Sequence, residues 1–308
     1  MWALLFLWVA GWLCIPHLLL LNKRPTATLA WVWAILLFPV LGAGLYLAIG
    51  TERVNRRRMK LRRELRGREL QISGPGDMPR HLTHAAEENA VTPEAGTLFK
   101  GLAAITHLPI GTASNLQILR KAPAFYAALK ESIRQAKTDI HIESYIWHDD
   151  EVGKEFLDLL VQAARRGVTV RLLLDEFGCL GLPESTFRPL IEAGGKFSWY
   201  HTFSPLRNRY FFNLRNHRKL QVIDGTIAFV GGMNFGREYL GRDPQLGDWS
   251  DVQIRVEGSE VKIFQRIFTE DWFFAAGEDI LLKVSFPPAE KEEKTWVHAL
   301  LGGPDEDD

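Results

Sequence analysis

Two apolar runs at the amino end restrict the chain before any motif is read. Trp2 to Leu21 and Leu29 to Ile49 are each about as long as the roughly 20 residues that a bilayer-spanning helix needs. Lys23 and Arg24 are the only Lys, Arg, Asp or Glu residues among the first fifty. Runs of this length are buried in lipid or in a protein core, and their continuity favours two membrane spans. Pro16 and His17 weaken the first run, whereas the second holds no charged residue. No positive charge precedes the first run, so it reads as an anchor rather than as a cleaved leader.

The stretch "TERVNRRRMKLRRELRGRE" follows, with Arg53, Arg56, Arg57, Arg58, Lys60, Arg62, Arg63, Arg66 and Arg68 crowded together. Such a cluster holds its end of a span in the cytoplasm, and anionic headgroups attract it by about 1 kcal/mol per residue near the surface. Over the whole chain 37 Lys and Arg balance 37 Asp and Glu, so only the distribution of charge is informative. Cys14 and Cys179 are the only cysteines, which excludes a disulfide framework or a cysteine metal site. From about Leu70 to Ala95 the aperiodic composition, including "SGPGDMP", suits a linker.

Order resumes beyond it. "PAFYAALKESIRQAK" sets Phe125, Leu129 and Ile133 four residues apart, which predicts an amphipathic helix opened by Pro123. "DIHIESYIW" alternates with the period of a strand, leaving His141, Glu143 and Tyr145 on its polar face. Glu143 and Tyr145 there either line a cleft or form a plain, partly buried face. A helix from Glu151 to Arg166 carries Val152, Phe156, Leu159, Leu160 and Ala163 on one stripe and stops at Gly167. "VTVRLLLDE" is the next strand, and "PLIEAGGKFSWYH" supplies a further helix and strand. Strands are then expected near Lys219 to Asp224, Ile227 to Val230 and Asp251 to Val256, with a last helix at about Ser259 to Ala275. The order is that of an α/β layer architecture with a mixed sheet.

One segment carries chemistry: "NHRKLQVIDGTIAFVGGMN". His217, Lys219 and Asp224 form H-x-K-x4-D, and Gly231, Gly232 and Asn234 form G-G-x-N. Two residues apart on a strand, His217 and Lys219 point to one face. Neutral imidazole can attack phosphorus, lysine supplies charge for phosphate oxygens, and asparagine adds a neutral donor. Gly231 and Gly232 would let the backbone approach a ligand. The three-residue pattern alone arises by chance in roughly one to a few per cent of chains this long, and the G-G-x-N extension lowers that by several orders of magnitude.

This segment resembles the signature of the phospholipase D superfamily, and more closely that of bacterial cardiolipin synthases. "RPTATLAWVWAILLFPVLGAGLYLAIG", "IHIESYIWHDDEVGKEFLDLL", "GVTVRLLLDEFG" and "GDWSDVQIRVEG" support the resemblance in the same order along nearly the whole chain. It implies a phospholipase D-like mixed α/β sheet flanked by helices and preceded by two transmembrane helices. The implied organisation is an anchor over 1–50, a basic juxtamembrane segment and linker over 51–96, and a single catalytic half over 97–308.

The resemblance further implies a two-step displacement on a phosphodiester through a phosphohistidine. His217 is then the nucleophile, with Lys219, Asn234 and Gly232 at the phosphate. Asp224 belongs to the catalytic signature as a brace rather than a substrate contact, and Asp251 matches the carboxylate that orients the nucleophile. Ser250 stands where the family often has arginine. The histidines, including His141, His148, His201 and His298, show no metal spacing, so neither a metal nor another cofactor is expected.

The synthases of the resemblance carry two signatures in one chain, with the site where the halves meet. This sequence has one, and "VHALLGGPDEDD" resembles the opening strand of a second half. Either two copies pair, each donating His217, or a separate second half completes the site. The implied function is a phosphatidyltransferase of the bacterial inner membrane, its catalytic part cytoplasmic, that joins two phosphatidylglycerols and releases glycerol. Its partners are phosphatidylglycerol and other anionic phospholipids, the membrane, and a homodimer mate or second half, not nucleic acid. The alternatives are a phosphodiesterase of the same superfamily and a silent half that binds lipid or pairs.

Overall fold

The computed structural model describes residues 11–20, 25–47, 92–106, 111–200, 203–204, 209–210, 216–241, 247, 249–281, 283–284 and 295–300. The chain divides into two units, Met1–Leu61 with Thr202–Leu214, and Arg62–His201 with Arg215–Asp308.

In the first unit lie helices α1 (Cys14–Leu20), α2 (Pro25–Leu37) and α3 (Pro39–Leu45). The second apolar run is therefore not one continuous helix. Pro39 lacks an N–H and its ring would collide with the carbonyl four residues back, so α2 stops and Phe38 leaves helical geometry at φ −133°, ψ 70°. The chain bends there, and Gly42 lies against α2 so tightly that a Cβ would stand 2.3 Å from the Ala34 carbonyl oxygen. Among the described residues no helix is long and apolar enough to cross a membrane, and residues 2–10 of the first expected span lie outside the described residues. The basic cluster and most of the expected linker lie outside the described residues.

The second unit begins with α4 (Pro93–Thr106), β1 (Gly111–Ala113), β2 (Asn115–Arg120) and α5 (Ala122–Gln135). It continues through β3 (Asp139–Ser144), α6 (Glu151–Arg165), β4 (Thr169–Asp175), α7 (Arg188–Glu192) and β5 (Lys196–Tyr200). A two-residue hairpin of β6 (Phe203–Ser204) and β7 (Arg209–Tyr210) groups with the first unit. Then come β8 (Leu220–Ile223), β9 (Ile227–Gly231), β10 (Val252–Glu257), α8 (Val261–Ala276) and β11 (Thr295–Val297), which pairs antiparallel with β1.

Seven strands form one sheet in the order β2-β10-β9-β8-β3-β4-β5. β3, β4 and β5 are parallel neighbours joined through α6 and α7, whereas β3–β8, β8–β9, β9–β10 and β10–β2 are antiparallel. This is the expected mixed sheet. On one face α5 and α6 bury the stripes read from the sequence: Phe125, Leu129 and Ile133 are fully buried, as are Phe156, Leu160 and Ala163. Each large side chain contributes about 1.5–3 kcal/mol by leaving water. Asp150 caps α6 by accepting from the backbone N–H groups of Val152 (2.9 Å) and Gly153 (3.0 Å), and Gly167 ends it with φ 91°.

Helix α8 covers the other face, packing Phe264, Ile267, Phe268 and Trp272 on Leu173, Leu220, Val222 and Val256. Its cover explains a departure from the alternation seen in β3. Every residue of that strand is buried, so His141 and Glu143 face α8 rather than water. His141 meets the Gln265 amide (3.0 Å) and Arg171 (3.1 Å), and burial holds its pKa down at about 3, with the Arg171 charge adding to the effect.

Candidate active site

The sheet brings one end of β8 to the carboxyl ends of β3 and β4, because β8 runs antiparallel to β3. In open α/β sheets that edge is where ligands bind. His217 enters it on a segment without regular secondary structure just before β8, with its side chain exposed.

Lys219 is 4% exposed, and its Nζ donates to the His217 carbonyl oxygen (2.6 Å) and to His217 Nδ1 (2.9 Å). The Tyr145 ring packs 4.4 Å from the His217 ring and 5.2 Å from Lys219 Nζ. Burial brings the Lys219 pKa down to about 8, against the opposing pull of Asp251 and Asp175. Partial burial and the Lys219 charge also lower the pKa of His217, while Asp175 raises it. The net shift favours the neutral imidazole.

Asp224 stands at the other end of β8, beyond the pleat that carries Lys219. With Gly225 it forms the β8–β9 turn, both in left-handed backbone (φ 52° and 61°). Its carboxylate accepts from the backbone N–H groups of Lys137 (2.9 Å), Thr138 (2.7 Å) and Asp139 (3.1 Å), and from the Thr138 hydroxyl (2.9 Å). Burial raises its pKa, but these bonds prevail and hold it below the usual carboxylate range. Asp224 therefore ties the α5–β3 connection to β8.

The G-G-x-N residues are placed differently from the expectation. What comes close to the glycines is protein: a Cβ on Gly232 would stand 2.2 Å from Asp251 Oδ1, and one on Gly231 would stand 2.3 Å from the Val252 carbonyl oxygen. Asp251 accepts from the Val252 N–H (2.7 Å), and its field reaches Lys219. Among the described residues its carboxylate makes no hydrogen bond to His217, whose ring partner is Lys219. Asn234 is buried: its Oδ1 accepts from the Ile146 N–H (3.0 Å) and the Ser144 hydroxyl (3.3 Å), and its Nδ2 donates to the Tyr239 oxygen (2.5 Å). The side chain thus links the end of β3 to the turn after β9.

Two groups escaped the sequence reading. Asp175 ends β4 and accepts from the N–H of Asn216 (2.8 Å), directly before His217. Its Oδ1 accepts from Phe177 and Gly178 N–H groups, both at 2.9 Å. The signal was an acid at the carboxyl end of the apolar run "VRLLL". Asn216 was the other, quoted within the motif but given no role. Among the described residues no cluster of His, Cys, Asp and Glu is arranged to hold a metal ion.

A half-exposed histidine and a buried, weakly basic lysine thus stand together just before the central strand of a mixed sheet. Residues 129–272 match the family described as "Cardiolipin synthase, PLD-like domain", and residues 2–50 match "Phospholipase_D-nuclease N-terminal". The segment 129–272 thus belongs to the phospholipase D-like domain family of cardiolipin synthases. It is 35% identical over 291 residues to a cardiolipin synthase of Halalkalibacterium halodurans, covering 92% of this chain and 56% of that protein. It is 33% identical over 289 residues to cardiolipin synthase 2 of Bacillus anthracis, covering 92% and 55%. The chain spans about half the length of the curated relatives it matches. Among solved structures, phosphatidylserine synthase of Haemophilus influenzae superposes with a TM-score of 0.43 at 19% identity, over 56% of this chain and 40% of that one.

Proposed function

We propose that the chain is a membrane-anchored half-site of a phosphatidyltransferase that makes cardiolipin from two phosphatidylglycerols. The observation that carries this reading is the His217–Lys219 pair. While Lys219 is charged, His217 Nδ1 is its acceptor. A phosphodiester oxygen that took over the Lys219 proton would release the imidazole and neutralise the charge developing on phosphorus.

In the first step a His217 ring nitrogen bonds to phosphorus and the P–O bond to the departing glycerol breaks, giving phosphatidyl-histidine. The glycerol oxygen takes its proton from a second signature histidine, supplied by a second copy or by a second half. In the second step that histidine removes the proton from a hydroxyl of another phosphatidylglycerol. That hydroxyl oxygen then displaces His217 from phosphorus. Asp251, seated on Gly232, holds Lys219 in its charged form, and Asn234 and Asp224 keep the strands of the site in register.

Membrane anchoring is supported by the first unit, where Leu13, Leu19, Leu20, Trp33, Phe38 and Leu41 are between 60% and 86% exposed. The basic cluster after residue 50 supports a cytoplasmic placement of the catalytic part, next to anionic headgroups of a bacterial inner membrane.

The test is lipid mass spectrometry on the purified chain in phosphatidylglycerol vesicles beside His217→Ala. Cardiolipin and glycerol from the unmodified chain, and neither from the variant, is the expected result. Phosphatidic acid in place of cardiolipin would make the chain a hydrolase, and equal product from both chains would remove His217 from the reaction.

A further inference from the structure

His217 has no regular secondary structure of its own, yet both of its chain neighbours are anchored beneath it. On one side the Asn216 carboxamide accepts from the Arg218 N–H (3.2 Å) through Oδ1, and its Nδ2 donates to Glu143 Oε1 on β3. On the other side the Arg218 guanidinium pairs with the Asp271 carboxylate on α8. Glu143 and Asp271 are each 1% exposed, and Asp271 is the leading charged neighbour of Glu143. We propose that Glu143 and Asp271 form a buried carboxyl pair that positions the nucleophile by gripping Asn216 and Arg218, the residues on either side of His217. The proposal rests on His217 being the nucleophile.

Two buried carboxylates side by side repel unless a proton lies between them. The register partners of Glu143 are Leu173 on β4 and Leu220 on β8, which offer it no charge. The charged groups that face it are Asp271 from α8 and Arg218 from the motif segment, with Asn216 as a neutral donor. Its second oxygen, Oε2, is buried and meets no hydrogen-bond donor among the described residues. Burial first, and Asp271 next, raise the pKa of Glu143 well above its ordinary value, while Arg218 and Asn216 act the other way. One proton shared by the pair leaves one negative charge, matched by Arg218. The pair accordingly holds the motif segment without imposing net charge on the imidazole.

This arrangement distinguishes positioning from general structural support. Glu143→Gln reproduces the protonated acid and keeps an acceptor for Asn216. Glu143→Ala releases Asn216. Asp271→Asn leaves the Arg218 charge uncompensated, which lowers the pKa of His217 further.

The experiment is carbethoxylation of the full chain with diethyl pyrocarbonate, read residue by residue by mass spectrometry across pH, with exposed His148 as the internal reference. The reagent reports neutral imidazole and needs no turnover, so its outcome is separate from whether cardiolipin is formed. The expected result is a His217 rate and midpoint within about twofold and 0.2 pH units of wild type in Glu143→Gln. In Glu143→Ala the His217 rate should change at least fivefold, and in Asp271→Asn the midpoint should fall by at least half a pH unit, with His148 unmoved in both. Unchanged His217 behaviour in folded Glu143→Ala and Asp271→Asn proteins, or equal damage from Glu143→Gln and Glu143→Ala, would overturn the proposal.

Discussion

The two ends of strand β8 treat polar groups in opposite ways. At one end Asp224 accepts from four donors among the described residues and is held below its usual range. At the other, Lys219 is buried with its basicity reduced to about 8, and His217 is exposed, its ring meeting Lys219 among the described residues. Four residues of strand separate them. A motif continuous in sequence is thus divided in space into a hydrogen-bonded joint at Asp224 and an exposed histidine backed by a buried lysine. The lesson is general: a side chain whose capacity is used up by the fold holds structure, and one whose capacity is left over can do chemistry.

The division is broken most severely at the reactive end. His217→Ala should lower the rate by about 10³-fold or more. Lys219→Met should cost about 10² to 10³-fold through lost charge stabilisation. Both are read by p-nitrophenol release from a short-chain phosphatidyl-p-nitrophenol, whose leaving group needs no acid. The folded proteins should keep nearly wild-type thermal midpoints.

The other end should show the inverse. Asp224→Ala should destabilise by about 2–3 kcal/mol, because a charged acceptor of four bonds is lost, with the rate at low temperature changed only a few-fold. A folded pKa below the unfolded one means that the contribution of Asp224 is fully present above about pH 4 and disappears as pH falls through the lower folded value. Denaturant unfolding of the two proteins should therefore differ at pH 7 and converge in strong acid. A variant as stable as wild type at pH 7 would erase the distinction between the ends.

A smaller effect sharpens the reactive end. The rate should fall in acid as His217 becomes protonated, at a midpoint below the ordinary 6.5, and fall again above about pH 8 as Lys219 loses its proton. Gly232→Ala pushes the Asp251 carboxylate off its seat and removes a negative charge that raises Lys219 basicity. The alkaline midpoint should then move down by several tenths of a pH unit. An unmoved midpoint would mean that Asp251 does not act on Lys219.

Much of the framework was legible because it depends on periodicity. Phe125, Leu129 and Ile133, and Val152 through Ala163, recur at helical spacing, and their burial follows. His217 and Lys219, two residues apart, were equally readable as neighbours, and their side chains meet. What escaped depends on neighbours far away in sequence. Nothing local says that α8 will cover the polar face of β3 and bury Glu143, that Asn234 will be taken up by Ile146, or that Gly232 will lie against Asp251. Pro39 was visible within the second apolar run, and its effect on helix continuity outweighed the hydropathy of that run.

The central claim is that His217 becomes covalently bonded to phosphorus while Lys219 holds the phosphate. Its most direct test is to mix the full chain with a short-chain phosphatidyl-p-nitrophenol, quench under alkaline denaturing conditions, and digest and map adducts by mass spectrometry. The account predicts a burst of one equivalent of p-nitrophenol and a phosphatidyl adduct on His217, both absent from His217→Ala. A burst with the adduct on another residue, or steady release from His217→Ala at the wild-type rate, would contradict it.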